Sequence, residues 1–220
     1  MERQRFRITA LLGLLMALPL SAFCIPVSGR VRLTGRPPGV SIVTIVYAEP
    51  LDGGRVQPGQ FSMAQRNKAF VPHVLAVPLG STINFPNEDQ IFHNVFTLSR
   101  PSPFDLGLYR AGASKAQTFT APAMYRVFCN IHPQMTAIIL VVPTSFIAEV
   151  DGAGNYRLDL PAGRYRVTAW SERADASSVE LTVGQPVPDL SLDETKFVET
   201  QHKNKFGQDY PKSAYDPKKN

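Results

Sequence analysis

No window after residue 24 sustains a helical hydrophobic period, and the chain's 19 prolines would break one. What recurs are short apolar-alternating runs between Pro and Gly: 29–33, 40–47, 60–64, 74–77, 82–85, 94–97, 117–120, 125–128 and 137–142. Short strands at this spacing predict an all-β chain of sandwich or barrel type. Its 220 residues suit two small domains better than one large one.

Residues 1–24 are set apart as a signal peptide. Arg3, Arg5 and Arg7 precede an apolar run over 8–20 that is shorter than the roughly 20 residues needed to span a bilayer. Cleavage is expected after Ala22 or Cys24. A lipid anchor on Cys24 is disfavoured because Phe23 stands where such a signal needs a small residue. The expected location is therefore the periplasm, without stable membrane insertion. The whole chain carries a formal charge of +5, to which the signal contributes three Arg against Glu2. The remainder is too weakly basic to argue for nucleic acid.

Losing that segment leaves Cys129 as a lone thiol. Cysteines in an oxidising compartment usually pair, so an unpaired one needs a reason. Residues 129–135 read Cys-Asn-Ile-His-Pro-Gln-Met and place a thiolate, an imidazole and a thioether on one short loop. A mononuclear blue copper site takes two imidazoles and a thiolate in a trigonal plane, with a weak axial Met. Cys129, His132 and Met135 supply three of these ligands, and His93 is the candidate for the second imidazole. A buried Cys serving as a small hydrophobe is the commoner fate of an isolated thiol, but the adjacent His and Met argue against it here. Structural zinc sites use Cys, His or carboxylate ligands and not Met. A Cys-His nucleophile pair would need an orienting third group and a cleft, and the sequence marks neither. A further copper centre needs several more imidazoles, yet only His73 and His202 remain of the four histidines. The expectation is an electron carrier and not an enzyme.

The spacing Cys-x2-His-x2-Met resembles that of the amicyanin- and plastocyanin-like cupredoxins, over about residues 59–143. The resemblance implies a Greek-key β-sandwich and one copper ion cycling between Cu(I) and Cu(II). It also implies that Asn87, six residues before His93, braces the Cys loop by hydrogen bonding from behind the ligands. The implied partner is a redox protein such as a c-type cytochrome or a periplasmic dehydrogenase. Copper delivery, or a docking module with a structural copper, are the alternatives. Ile91, Phe92, Ile131 and Pro133 are expected to form an apolar rim around an exposed His132 edge.

Met63-Ala64-Gln65, Phe85-Pro86-Asn87 and Leu106-Gly107-Leu108-Tyr109 resemble bacterial proteins labelled methylamine utilisation proteins. There a second module follows, and Leu160-Pro161-Ala162-Gly163-Arg164 through Trp170 resembles the transthyretin-like sandwich found as the regulatory domain of carboxypeptidases. That module is placed at 145–195. Where that group often has a His after the Trp, Ser171 stands here. Residues 27–49 either complete the second module or extend the cupredoxin sheet. Residues 196–220 are expected to be a polar, Lys-rich tail, with Phe206, Tyr210 and Tyr215 as potential anchors.

Overall fold

The computed structural model describes residues 24–198 and 202–210. The expected signal lies outside them apart from Cys24, as does Tyr215. Among the described residues the regular structure is all strand, and no helix is long and apolar enough to cross a membrane.

The strands are β1 (Cys24–Thr34), β2 (Thr44–Pro50), β3 (Gln60–Ser62), β4 (Ala64–Arg66), β5 (Ala69–Val71), β6 (Val74–Pro78), β7 (Thr82–Pro86), β8 (His93–Thr97) and β9 (Phe104–Tyr109). There follow β10 (Ser114–Thr118), β11 (Ala123–Phe128), β12 (Thr136–Val142), β13 (Ile147–Glu149), β14 (Asn155–Pro161), β15 (Arg164–Ser171), β16 (Ala174–Thr182) and β17 (Leu190–Asp193).

One sandwich has a sheet of order β10-β7-β3 and another of order β6-β12-β11-β8-β9, with β4 and β5 forming a hairpin beside them. Alternation sends Tyr125, Val127, Ala137, Ile139 and Val141 into a core with Met63, Ile83, Phe85 and Val95, while Met124 and Arg126 face out. A second, smaller sandwich has sheets β14-β1-β17 and β13-β2-β15-β16. Its core holds Val27, Val31, Val46, Leu158, Leu160, Val167, Leu190 and Leu192. β1 pairs with β14 and β17, and β2 with β13 and β15, so these N-terminal strands share sheets with strands more than 100 residues later.

β12 reads Thr-Ala-Ile-Ile-Leu-Val-Val without polar alternation, because both its faces are covered. Ala137, Ile139 and Val141 serve the first core, whereas Ile138, Leu140 and Val142 pack with Ile45 and Trp170 of the second sandwich.

Several sequence expectations shift. Residues 40–43 lie outside β2, which starts at Thr44. The run 60–64 divides at Met63, and the strand expected at 117–120 sits at Ser114–Thr118. β9 is not among the expected strands, since Gly107, at φ 67°, interrupts its alternation.

Candidate metal centre

The centre lies where three elements of the first sandwich meet. β8 opens with His93, β11 ends just before Cys129, and β12 begins just after Met135. The antiparallel pairing of Phe128 with Phe96 brings His93 alongside the residues beyond the end of β11. The loop closes on itself: the Cys129 N–H donates to Met135 O at 3.2 Å and the Met135 N–H to His132 O at 2.9 Å.

His93, Cys129 and His132 form a single cluster, their candidate ligand atoms all within 4.8 Å of one another. Cys129 Sγ lies 3.9 Å from His93 Nδ1 and 3.7 Å from His132 Nδ1, and the two Nδ1 atoms are 3.2 Å apart. A triangle with these sides has a circumradius of about 2.1 Å, within the span of first-row metal–nitrogen and metal–sulfur bonds, roughly 2.0 to 2.3 Å. A borderline-soft ion fits these donors without rearrangement. Met135 is fully buried in the core cluster that includes Cys129. His73 and His202 stand outside the cluster, the first bonded to Thr136 O and Glu172 and the second to Pro133 O of the loop.

Each donor is set by its surroundings. Buried His93 turns Nε2 toward Asp89 Oδ2 at 2.8 Å, so that nitrogen carries the proton and Nδ1 keeps its lone pair toward the cluster. Asp89 is held in turn by the backbone N–H groups of Asn67 (2.6 Å) and Lys68 (2.8 Å). Those two residues form the β4–β5 turn, both at φ 55°, the left-handed conformation that two-residue hairpins of this kind require. Burial raises the Asp89 carboxyl, but the N–H of Lys68, the His93 ring and the N–H of Asn67 outweigh it and leave the group below its ordinary range. The sequence does not single out Asp89; its place four residues before His93 is the one available signal.

Burial pushes the Cys129 thiol up, against backbone N–H groups of Ile131, Asn94 and His132 that favour the thiolate. A metal ion would displace this proton. Burial and the neighbouring His93 and Lys68 lower the His132 imidazole, despite Asp89, which favours the neutral form a metal needs.

The brace expected from Asn87 has a different target. Both amide hydrogens are used, one on Ile91 O at 2.8 Å and one on Tyr109 O at 3.3 Å, while Oδ1 accepts from the Asp89 N–H. Asn87 therefore shapes the turn leading to His93. The residue that reaches the Cys loop is Asn94, whose Oδ1 accepts from the Asn130 N–H at 3.2 Å. The rim also differs from expectation: Ile91, Phe92 and Ile131 are exposed, but Pro133 is buried, with His202 against its carbonyl. Ser171 donates to the buried carboxylate of Glu194, which pairs with Arg36 at 2.6 Å, so it belongs to the second sandwich's own polar network.

No family model and no curated protein matches the chain. Among solved structures, a Cu-containing nitrite reductase (NirK) from Thermus scotoductus SA-01 is 30% identical over 43% of this chain, with a TM-score of 0.37; the match spans only 25% of that protein. A purple cupredoxin from Nitrosopumilus maritimus is 18% identical over 37% of this chain and 98% of its own, at TM-score 0.35. A mutant of amicyanin in its Cu(I) form is 19% identical over 38% of this chain and 82% of its own, at TM-score 0.36.

Proposed function

We propose that the chain is a periplasmic type 1 copper protein that holds one copper ion and passes single electrons between redox partners. The observation that carries this reading is the triangle of Cys129 Sγ, His93 Nδ1 and His132 Nδ1, sized for a single ion and largely buried. Copper, when bound, supplies a one-electron couple. Cys129 would supply the thiolate once its thiol gives up its proton on metal binding, and His93 offers a lone pair oriented by Asp89. His132 would supply the second imidazole from a half-buried position, and Met135, buried in the same core cluster as Cys129, would supply the thioether. Three of the ligands would sit on a loop whose ends are tied to each other and to β8, which carries His93, an arrangement suited to little movement during electron exchange.

Exposed Ile91, Phe92 and Ile131 flank the two histidines and offer an apolar surface where a c-type cytochrome or a periplasmic dehydrogenase can dock at low desolvation cost. Neither of the remaining histidines joins the cluster, His73 being bonded to Thr136 O and Glu172 and His202 to Pro133 O, which supports a carrier and not a multi-copper enzyme. For the second sandwich we infer a transthyretin-like affiliation within the methylamine utilisation group, on the residues from Leu160 to Trp170 that span β14 and β15. Titrating Cu(II) into the chain lacking residues 1–23 tests the reading. An intense thiolate-to-copper absorption in the visible is expected, and Cys129→Ser should abolish it. Stoichiometric copper binding without colour would overturn the assignment.

A further inference from the structure

The last described segment, residues 202–210, runs back over the ligand loop. The His202 ring stacks on Phe128 with centroids 4.1 Å apart and planes at 18°, and its Nε2 lies 2.6 Å from Pro133 O. The Lys205 backbone N–H donates to Asn130 Oδ1 at 3.1 Å, and the Tyr210 hydroxyl donates to Cys129 O at 3.4 Å. The Tyr210 ring meets His202 edge-on at 5.3 Å. Lys205 Nζ pairs with Asp105 Oδ2 at 2.8 Å; the other oxygen of that carboxylate takes the amide of Asn94, which holds the Asn130 N–H.

These contacts converge on one target. The two backbone hydrogen bonds inside the loop use the carbonyls of Met135 and His132. The tail addresses the groups those bonds leave: the carbonyls of Cys129 and Pro133 and the side chain of Asn130. It thus reaches the ligand Cys129, its neighbour Asn130 and the residue after His132, while Ile131 stays exposed. A loop held only at its ends keeps freedom in the middle, and hydrogen bonds to its central carbonyls remove it.

We propose that His202, Lys205 and Tyr210 form a strap that positions the ligand loop, fixing the backbone of Cys129, Asn130 and Pro133 so that the thiol and the His132 imidazole stay oriented before any ion arrives. That the held geometry serves copper rests on the proposed function; that the strap restrains the loop does not.

The test begins with metal-free protein in a Cys24→Ser background, which leaves Cys129 as the only thiol. Reaction with an aromatic disulfide reagent and hydrogen exchange of the amides of Asn130, Ile131, His132, Gln134 and Met135 are compared among the parent, His202→Ala, Tyr210→Phe and the double variant. Each lost contact should speed thiol reaction and loop exchange by roughly fivefold, with the amides of β7 unchanged. His202→Gln, which keeps a donor for Pro133 O, should recover part of the protection. In copper-loaded protein the same variants should broaden the thiolate charge-transfer band. Equal rates in all variants, or acceleration shared by β7, would overturn the strap. A colourless copper complex in every variant, parent included, would instead sink the copper reading, and the metal-free rates would still decide the strap.

Discussion

Asp89 touches no expected ligand position except through the His93 ring, yet it decides which nitrogen of that ring faces the cluster. Asp89→Ala removes the partner of Nε2 and leaves two turn N–H groups without their acceptor. Loss of such a carboxylate typically lowers metal affinity about 10- to 100-fold, which competition with a Cu(I) chelator would measure, and the visible band should weaken without vanishing. Met135→Leu should keep the colour and raise the reduction potential in voltammetry, because a weak axial donor favours Cu(II). A lowered potential would remove Met135 from the axial role. Cys129 and His132, which the fold brings together with His93, are legible in the sequence because uncommon ligand types share the seven residues 129–135. Asp89 and Asn94 are not, since a carboxylate or an amide near a strand end is ordinary until its partner across the fold is known.

The β4–β5 hairpin shows an element tuned for position at some cost in backbone energy. Asn67 and Lys68 both adopt φ 55°, and the second has neither glycine's freedom nor asparagine's tolerance of that region. Lys68→Gly should stabilise the protein against urea by up to about 1 kcal/mol while preserving the N–H that Asp89 accepts. A loss of stability would mean that the side chain's own contacts outweigh the strain. Strand alternation reveals β7 and β11 within a residue or two, because burial on one face imposes period two, while β6 and β12 show as short, nearly continuous apolar runs. It fails at β9, where Gly107 breaks the pattern, and for 27–49 it leaves two pairing partners open. Alternation tells which face is covered, whereas the identity of the neighbouring strand is a long-range property of the fold.

At the scale of the whole molecule, the two sandwiches meet through Ile45 and Trp170 against Ile138, Leu140 and Val142, and through an ion pair of His73 with Glu172 at 3.0 Å. The hydrogen bond from Glu172 raises the His73 imidazole above its ordinary value despite partial burial, and the same bond lowers Glu172. The sign follows from both partners. The His73 contribution is complete below about pH 6.5 and fades as pH rises through its raised value, while the Glu172 contribution is lost as pH falls through its lowered one. His73→Ala should therefore cost most in mildly acidic buffer and progressively less above neutrality. Because His73 is half exposed, the cost should stay within about 1 kcal/mol. A pH-independent difference in urea midpoint would mean that packing, not charge, is what the variant removes. Trp170→Ala should be far more severe, on the order of 3 to 5 kcal/mol, through the cavity left between the sandwiches.

Because one strand faces the first core on one side and the second sandwich on the other, the molecule has a party wall in place of two outer walls. β12 cannot detach from its neighbours in the second sandwich without also baring the side chains that insulate the first, and its opening residue follows Met135 directly. Heat should therefore melt the metal loop and the distant sandwich together, as a single calorimetric peak whose van't Hoff and calorimetric enthalpies agree. Copper at one end would then protect against proteolysis at the other, with no signal passing between them beyond shared cooperativity.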